Sequence, residues 1–126
     1  MVAAQELAGF GYSVRFTPWH TVVIYDVSEA ARDDLCTALT RLGMSIDPHH
    51  PANWIGACGG KPGCRRAHTD VRADAWRLMC SPDYQPGVRI HYAGCARWCG
   101  HPNEQHWERL ATAQGEYVER LMDADG

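Results

Sequence analysis

Six cysteines punctuate this 126-residue chain, and four of them form two spaced pairs. Cys58 and Cys64 enclose five residues, Gly-Gly-Lys-Pro-Gly, and Cys95 and Cys99 enclose three, Ala-Arg-Trp. Thirty residues separate the pairs. Four thiolates are what a cubane cluster requires, one for each iron. The first loop is rich in glycine, which lets backbone wrap closely around a bulky inorganic core. Its N–H groups can turn toward cluster sulfides in a nest that favours negative charge. The spacing therefore predicts a single [4Fe–4S] cluster on Cys58, Cys64, Cys95 and Cys99. Three other readings compete. Structural zinc prefers pairs about two to four residues apart, so the five-residue gap disfavours it. Disulfides need an oxidising compartment, which nothing in the sequence supports. Ordinary buried thiols suit Cys36, inside a leucine-faced helix, and Cys80, at the end of a second helix.

Composition sets the remaining bounds. The chain is 45% hydrophobic, which is globular, and its length suits one modest core. A net charge of −3 gives no strong pull toward nucleic acid or an anionic membrane, so neither is expected as a partner. No apolar stretch is long enough to span a bilayer, and residues 1–10 lack the pattern of a secretory signal. The expected location is the cytoplasm. There, six cysteines point to metal or catalysis before disulfides.

Strands are expected over 12–17 and 21–26, rich in β-branched and aromatic residues. Ser28 offers an N-cap to a helix with Leu35, Leu39 and Leu42 on one face, which stops at Gly43. Residues 44–53 read as a loop and 54–57 as a short buried strand leading into Cys58. A helix is expected over 64–79, with Val71, Ala75, Leu78 and Met79 inward, then a strand over 88–92. The tail, 106–122, fits either a helical stripe of Trp107, Leu110, Ala111, Val118 and Leu121 or a hairpin turning at Gln114-Gly115.

The pattern Cys-x5-Cys followed by Cys-x3-Cys resembles the sulfite and nitrite reductase superfamily. Val88-Arg89-Ile90-His91-Tyr92-Ala93-Gly94-Cys95 looks like the strand that delivers the second pair in that superfamily. Gly94 to Pro102, with its Gly-His-Pro ending, is most similar to one branch, precorrin-3B synthase of aerobic cobalamin biosynthesis. Ser13 to His20 and the Lys-Pro-Gly centre of the first cysteine loop are similar to the same branch, and the resemblance runs from about Tyr12 to Asp125. It implies an α+β fold: a ferredoxin-like half-domain over 1–50, then a [4Fe–4S]-binding sulfite/nitrite-reductase-like α/β unit over 51–126.

The resemblance also implies a tetrapyrrole, either a precorrin substrate or siroheme, with Cys99 between cluster and macrocycle. Arg15, Lys61, Arg65 and Arg66 match the family's basic residues that hold the macrocycle's carboxylates, a task suited to guanidinium forks and ammonium groups. An enzyme of this type hydroxylates a metal-free tetrapyrrole with dioxygen and takes electrons from a donor protein. A non-catalytic electron-transfer module and a siroheme-dependent reductase fragment are the alternatives. The chain departs from the family in three ways. Full members carry two related halves, and this chain matches one, so a homodimer or a companion subunit is expected to supply the other. Trp98 stands where the family has a small or polar residue. The tail is short for a complete half.

Among the histidines, His20, His91 and His101 are candidates for donating to substrate or binding a mononuclear iron, against a structural hydrogen-bonded role. His49, His50, His68 and His106 have no special claim. Trp19 and Trp54 read as core.

Overall fold

The computed structural model describes residues 8, 9, 11–18 and 21–124, so the readings of Trp19 and His20 lie outside the described residues. The chain divides into two compact units, Met1–Ile46 and Asp47–Gly126.

In the first unit, β1 (Ser13–Phe16) pairs antiparallel with β2 (Val22–Tyr25), with Arg15 opposite Val23. The Thr17 N–H donates to the Thr21 carbonyl at 2.9 Å and closes the hairpin. α1 (Glu29–Arg41) starts where Ser28 Oγ accepts the Ala31 N–H, which satisfies one of the free donors of the first turn. Leu35 and Ala38 are buried, while Leu39 and Leu42 are half-buried, so the inward stripe is narrower than the leucine spacing predicts. The helix ends at Leu42, and Gly43 follows at φ 77°, a left-handed cap that glycine adopts without steric cost.

The second unit is a mixed sheet with one helix on it. A 3-10 turn (Pro51–Asn53) leads into β3 (Ile55–Ala57), then α2 (Val71–Met79), β4 (Ile90–Ala93), β5 (His106–Ala113) and β6 (Glu116–Met122). The strand order is β3-β4-β5-β6. β3 runs parallel to β4 and β4 parallel to β5, while β5 and β6 form an antiparallel hairpin. The tail is therefore a hairpin turning at Gln114-Gly115, with Gly115 at φ 72°. α2 is shorter than the helix expected over 64–79. Asp70 caps it by accepting the Ala73 N–H at 3.1 Å, and the backbone before it is drawn into other bonds: His68 N–H to the Gly94 carbonyl at 2.8 Å and Lys61 N–H to the Thr69 carbonyl at 3.1 Å.

Side chains alternate across a strand, so the two faces of this sheet differ in chemistry. Ile55, Ile90, Tyr92 and Ala111 face α2 and enclose Val71 and Ala75 in the core. The Tyr117 hydroxyl donates to the Asp74 carboxylate and ties the hairpin to the helix; burial first, then that carboxylate, raises the pKa of the phenol. The other face carries the row Gly56, His91, Glu108, Arg120, one residue from each strand in register.

No helix among the described residues is long and apolar enough to cross a membrane. Ile55 is 4% exposed at the centre of the core. Ile55→Ala removes three carbons and leaves a cavity, so it is expected to cost about 2–5 kcal/mol, read as a lower midpoint in urea denaturation with an unchanged slope.

Candidate metal centre

Cys58 follows directly on β3, and Cys95 comes two residues after β4. These strands are neighbours and parallel, spaced about 4.8 Å apart as in any sheet, so both cysteine loops leave at the same edge. Open sheets with parallel strands bind ligands at that place, beyond the strands' carboxyl ends. The first loop is the crossover from β3 to α2. The second, 94–105, is the crossover from β4 to β5 and has no helix.

Hydrogen bonds lock the two loops together. The Cys58 N–H donates to the Tyr92 carbonyl at 3.0 Å, extending the ladder by one residue. The Gly94 N–H donates to Cys58 Sγ at 3.2 Å. Within the first loop the Cys64 N–H donates to the Gly60 carbonyl at 2.7 Å. Two glycines are required by space. A Cβ on Gly94 would lie 2.7 Å from the Ala67 Cβ and 3.4 Å from Cys58 Sγ. A Cβ on Gly60, at φ 60°, would lie 2.7 Å from Val71 Cγ2.

All six cysteines are free thiols. Cys58, Cys64 and Cys95 are half-buried and Cys99 is exposed, so all four can be reached. Among the described residues, no three Cys, His, Asp or Glu side chains are gathered as a set of metal ligands. What fits an iron–sulfur cluster is the donor chemistry and the scaffold. Both pairs sit on bonded loops at one sheet edge, and a backbone N–H already faces the first sulfur, as it would face a thiolate. Cys36 lies in α1 of the first unit, and Cys80 caps the end of α2.

The basic residues divide between the units. Arg15 is exposed on β1, with its guanidinium 5.6 Å from the Tyr25 ring centroid. Lys61, Arg65 and Arg66 are exposed on the first cysteine loop and its exit. Trp98 takes φ 50°, a left-handed conformation rare for a bulky residue, and Arg120 lies over its ring at 4.3 Å.

Beneath the second loop is a polar group that sequence reasoning missed in part. His91 and Glu108 are 2% and 1% exposed. His91 Nδ1 meets the two Glu108 carboxylate oxygens at 3.2 and 3.1 Å, and His106 Nε2 meets Oε2 at 3.0 Å. His101 stacks on His106 with ring centroids 6.1 Å apart. His91 was singled out from the sequence, but His106 and Glu108 were not. Their signal is the His-x-Glu spacing, which puts both on one face of a strand and was lost while the tail stood open between helix and hairpin.

No family model matches the chain. The ferredoxin sulfite reductase of Mycobacterium tuberculosis is 35% identical over 66 residues, 52% of this chain and 12% of that protein. A precorrin-3B synthase of Sinorhizobium sp is 26% identical over 105 residues, 82% of this chain and 23% of that protein. In structure, the NirA protein of Mycobacterium tuberculosis matches with a TM-score of 0.66 at 25% identity, over 94% of this chain and 24% of that one. These likenesses support the sulfite and nitrite reductase superfamily. Both units mix helix and strand, and the chain spans about an eighth to a quarter of the length of these relatives. The precorrin-3B synthase branch stays at the level of a distant likeness.

Gly94→Ala tests the contact between the loops. The added methyl must displace Ala67, so overpacking of about 1–3 kcal/mol is expected as a fall in thermal midpoint. Gly59→Ala is the control, since a Cβ there meets nothing within 4 Å.

Proposed function

We propose that this chain is an iron–sulfur protein of the precorrin-3B synthase type, with a [4Fe–4S] cluster held by Cys58, Cys64, Cys95 and Cys99 beside a tetrapyrrole. The observation that carries the reading is the placement of both cysteine pairs at the carboxyl ends of two adjacent parallel strands, with the Gly94 N–H on Cys58 Sγ. The likeness to a precorrin-3B synthase over 82% of the chain adds to it.

When bound, the cluster supplies or relays single electrons. The chain's own residues hold and orient. The Gly94 N–H stabilises negative charge on the Cys58 sulfur, since hydrogen bonds to the sulfurs help set a cluster's potential. Arg15, Lys61, Arg65 and Arg66 are the groups for the macrocycle's carboxylates. A donor protein provides electrons, and a second copy of this chain or a companion subunit supplies the second half of the pocket. A C2 pair would imitate the two related halves of full-length members.

A second reading, a siroheme-type reductase fragment, draws on the 35% identity to the sulfite reductase over 66 residues. The two readings share the cluster and differ in the macrocycle.

Iron content separates the ligands from the bystanders. Each of Cys58→Ser, Cys64→Ser, Cys95→Ser and Cys99→Ser is expected to lose iron and the broad charge-transfer absorption of anaerobically purified protein, and to lose stability with it. Cys36→Ser and Cys80→Ser should keep both. Iron retained by Cys95→Ser and lost from Cys36→Ser would reverse the assignment.

Sirohydrochlorin, a stable polycarboxylate macrocycle, tests the tetrapyrrole. Saturable binding is expected, and Arg15→Ala is expected to weaken it by about 2–5 kcal/mol, the cost of removing one partner from a desolvated charge pair. No binding by the unmodified protein, with any companion subunit present, would leave an electron-transfer module.

A further inference from the structure

Four buried polar atoms among the described residues lack a hydrogen-bond partner: His91 Nε2, Trp98 Nε1, Arg120 Nε and Arg120 Nη2. Three of them are N–H donors on two side chains in contact, since the Arg120 guanidinium carbon lies 4.3 Å from the Trp98 ring centroid. Nε and Nη2 share one edge of the guanidinium. That edge grips a carboxylate through two parallel N–H···O bonds. Arg120 as a whole is half-buried, but an N–H edge closed to solvent with no acceptor is costly.

The sheet places a carboxylate nearby but commits it elsewhere. Glu108 is the register partner of Arg120 across β5 and β6. Its oxygens are taken by His91 and His106. His106 Nδ1 lies 2.7 Å from the Glu104 carbonyl, which can only accept, so that nitrogen carries a hydrogen. Other carboxylates are engaged as well: Glu104 pairs with Arg89 at 2.9 Å, and Glu119 pairs with Arg109 at 2.6 Å. Among the described residues Arg120 makes no ion pair within 4 Å.

We propose that Arg120 and Trp98 form an anion site under the Cys95–Cys99 loop that takes a carboxylate side-on, two oxygens on the guanidinium edge and one of them shared with the indole N–H. Resting on the function proposed above, the natural source is a carboxylate of the tetrapyrrole, because Trp98 is the residue before Cys99. A free small carboxylate has the same chemistry, and the test separates the two.

The test follows the indole N–H resonance of Trp98 in the 15N-labelled 126-residue chain, assigned with Trp98→Phe. Acetate and sirohydrochlorin are titrated separately into wild type, Arg120→Lys and Arg120→Gln. A saturable shift with acetate, weakened about tenfold in Arg120→Lys, which keeps the charge but not the fork, and lost in Arg120→Gln, supports a free-carboxylate site. The same pattern with sirohydrochlorin alone supports a macrocycle-borne carboxylate. No shift with either ligand, or a shift undiminished in both folded Arg120 variants, overturns the proposal. Acetate needs neither cluster nor macrocycle. Loss of the iron–sulfur reading therefore leaves the acetate result standing, and a missing acetate shift leaves the iron measurements untouched.

Discussion

The parallel pairing of β3 with β4 is the constraint on which the candidate centre depends. Cysteine pairs thirty residues apart in sequence have no local reason to meet. Pairing Ile55 with Ile90 and Ala57 with Tyr92 sets the ends of the two strands side by side, and each strand then releases its cysteine loop at that edge. The closure is tight enough that one missing Cβ matters: Gly94 lies against Ala67 and gives its N–H to Cys58 Sγ. Parallel pairs need long crossovers, and here each crossover carries one pair of thiols. The connection that the topology demands and the loop that the chemistry needs are the same segment.

The two faces of that sheet are stabilised by different physics. Toward α2 the contacts are apolar and fill space around Val71, which is fully buried. On the other face, burial of His91 and Glu108 is tolerable only because each ring nitrogen facing the carboxylate can share a proton with it. In a low-dielectric setting such a group is strong when satisfied and costly when broken. It also engages the acidic side chain that the register sets opposite Arg120.

The two cysteine loops were legible in the sequence, because thiol separation and flanking glycines are local facts. The strands and α1 were legible for the same reason: β-branched runs and the Ser28 cap act within a few residues. The extent of α2 was not. Residues 64–70 have no breaker strong enough to exclude a helix, and what removes them from one is a distant acceptor, the Gly94 carbonyl on the His68 N–H. The tail was ambiguous because Trp107, Leu110 and Ala111 satisfy both periods, and only pairing with β4 selects the strand. With that choice went the His106–Glu108 face and the register that sets Glu108 opposite Arg120. Arg15 was read from resemblance and lies on a separate unit from Lys61, Arg65 and Arg66.

Trp98 connects these levels. A left-handed backbone at a bulky residue costs about 1–3 kcal/mol and persists only where its surroundings over-determine it. The surroundings are visible: the Trp98 N–H donates to the Cys95 carbonyl at 3.3 Å, its own carbonyl accepts the His101 N–H at 3.2 Å, and its ring lies against Arg120. A cation–π contact between half-buried side chains contributes about 0.5–2 kcal/mol, which offsets part of the strain. The conformation of the second cysteine loop is then set partly by a side chain from β6, the last strand of the sheet.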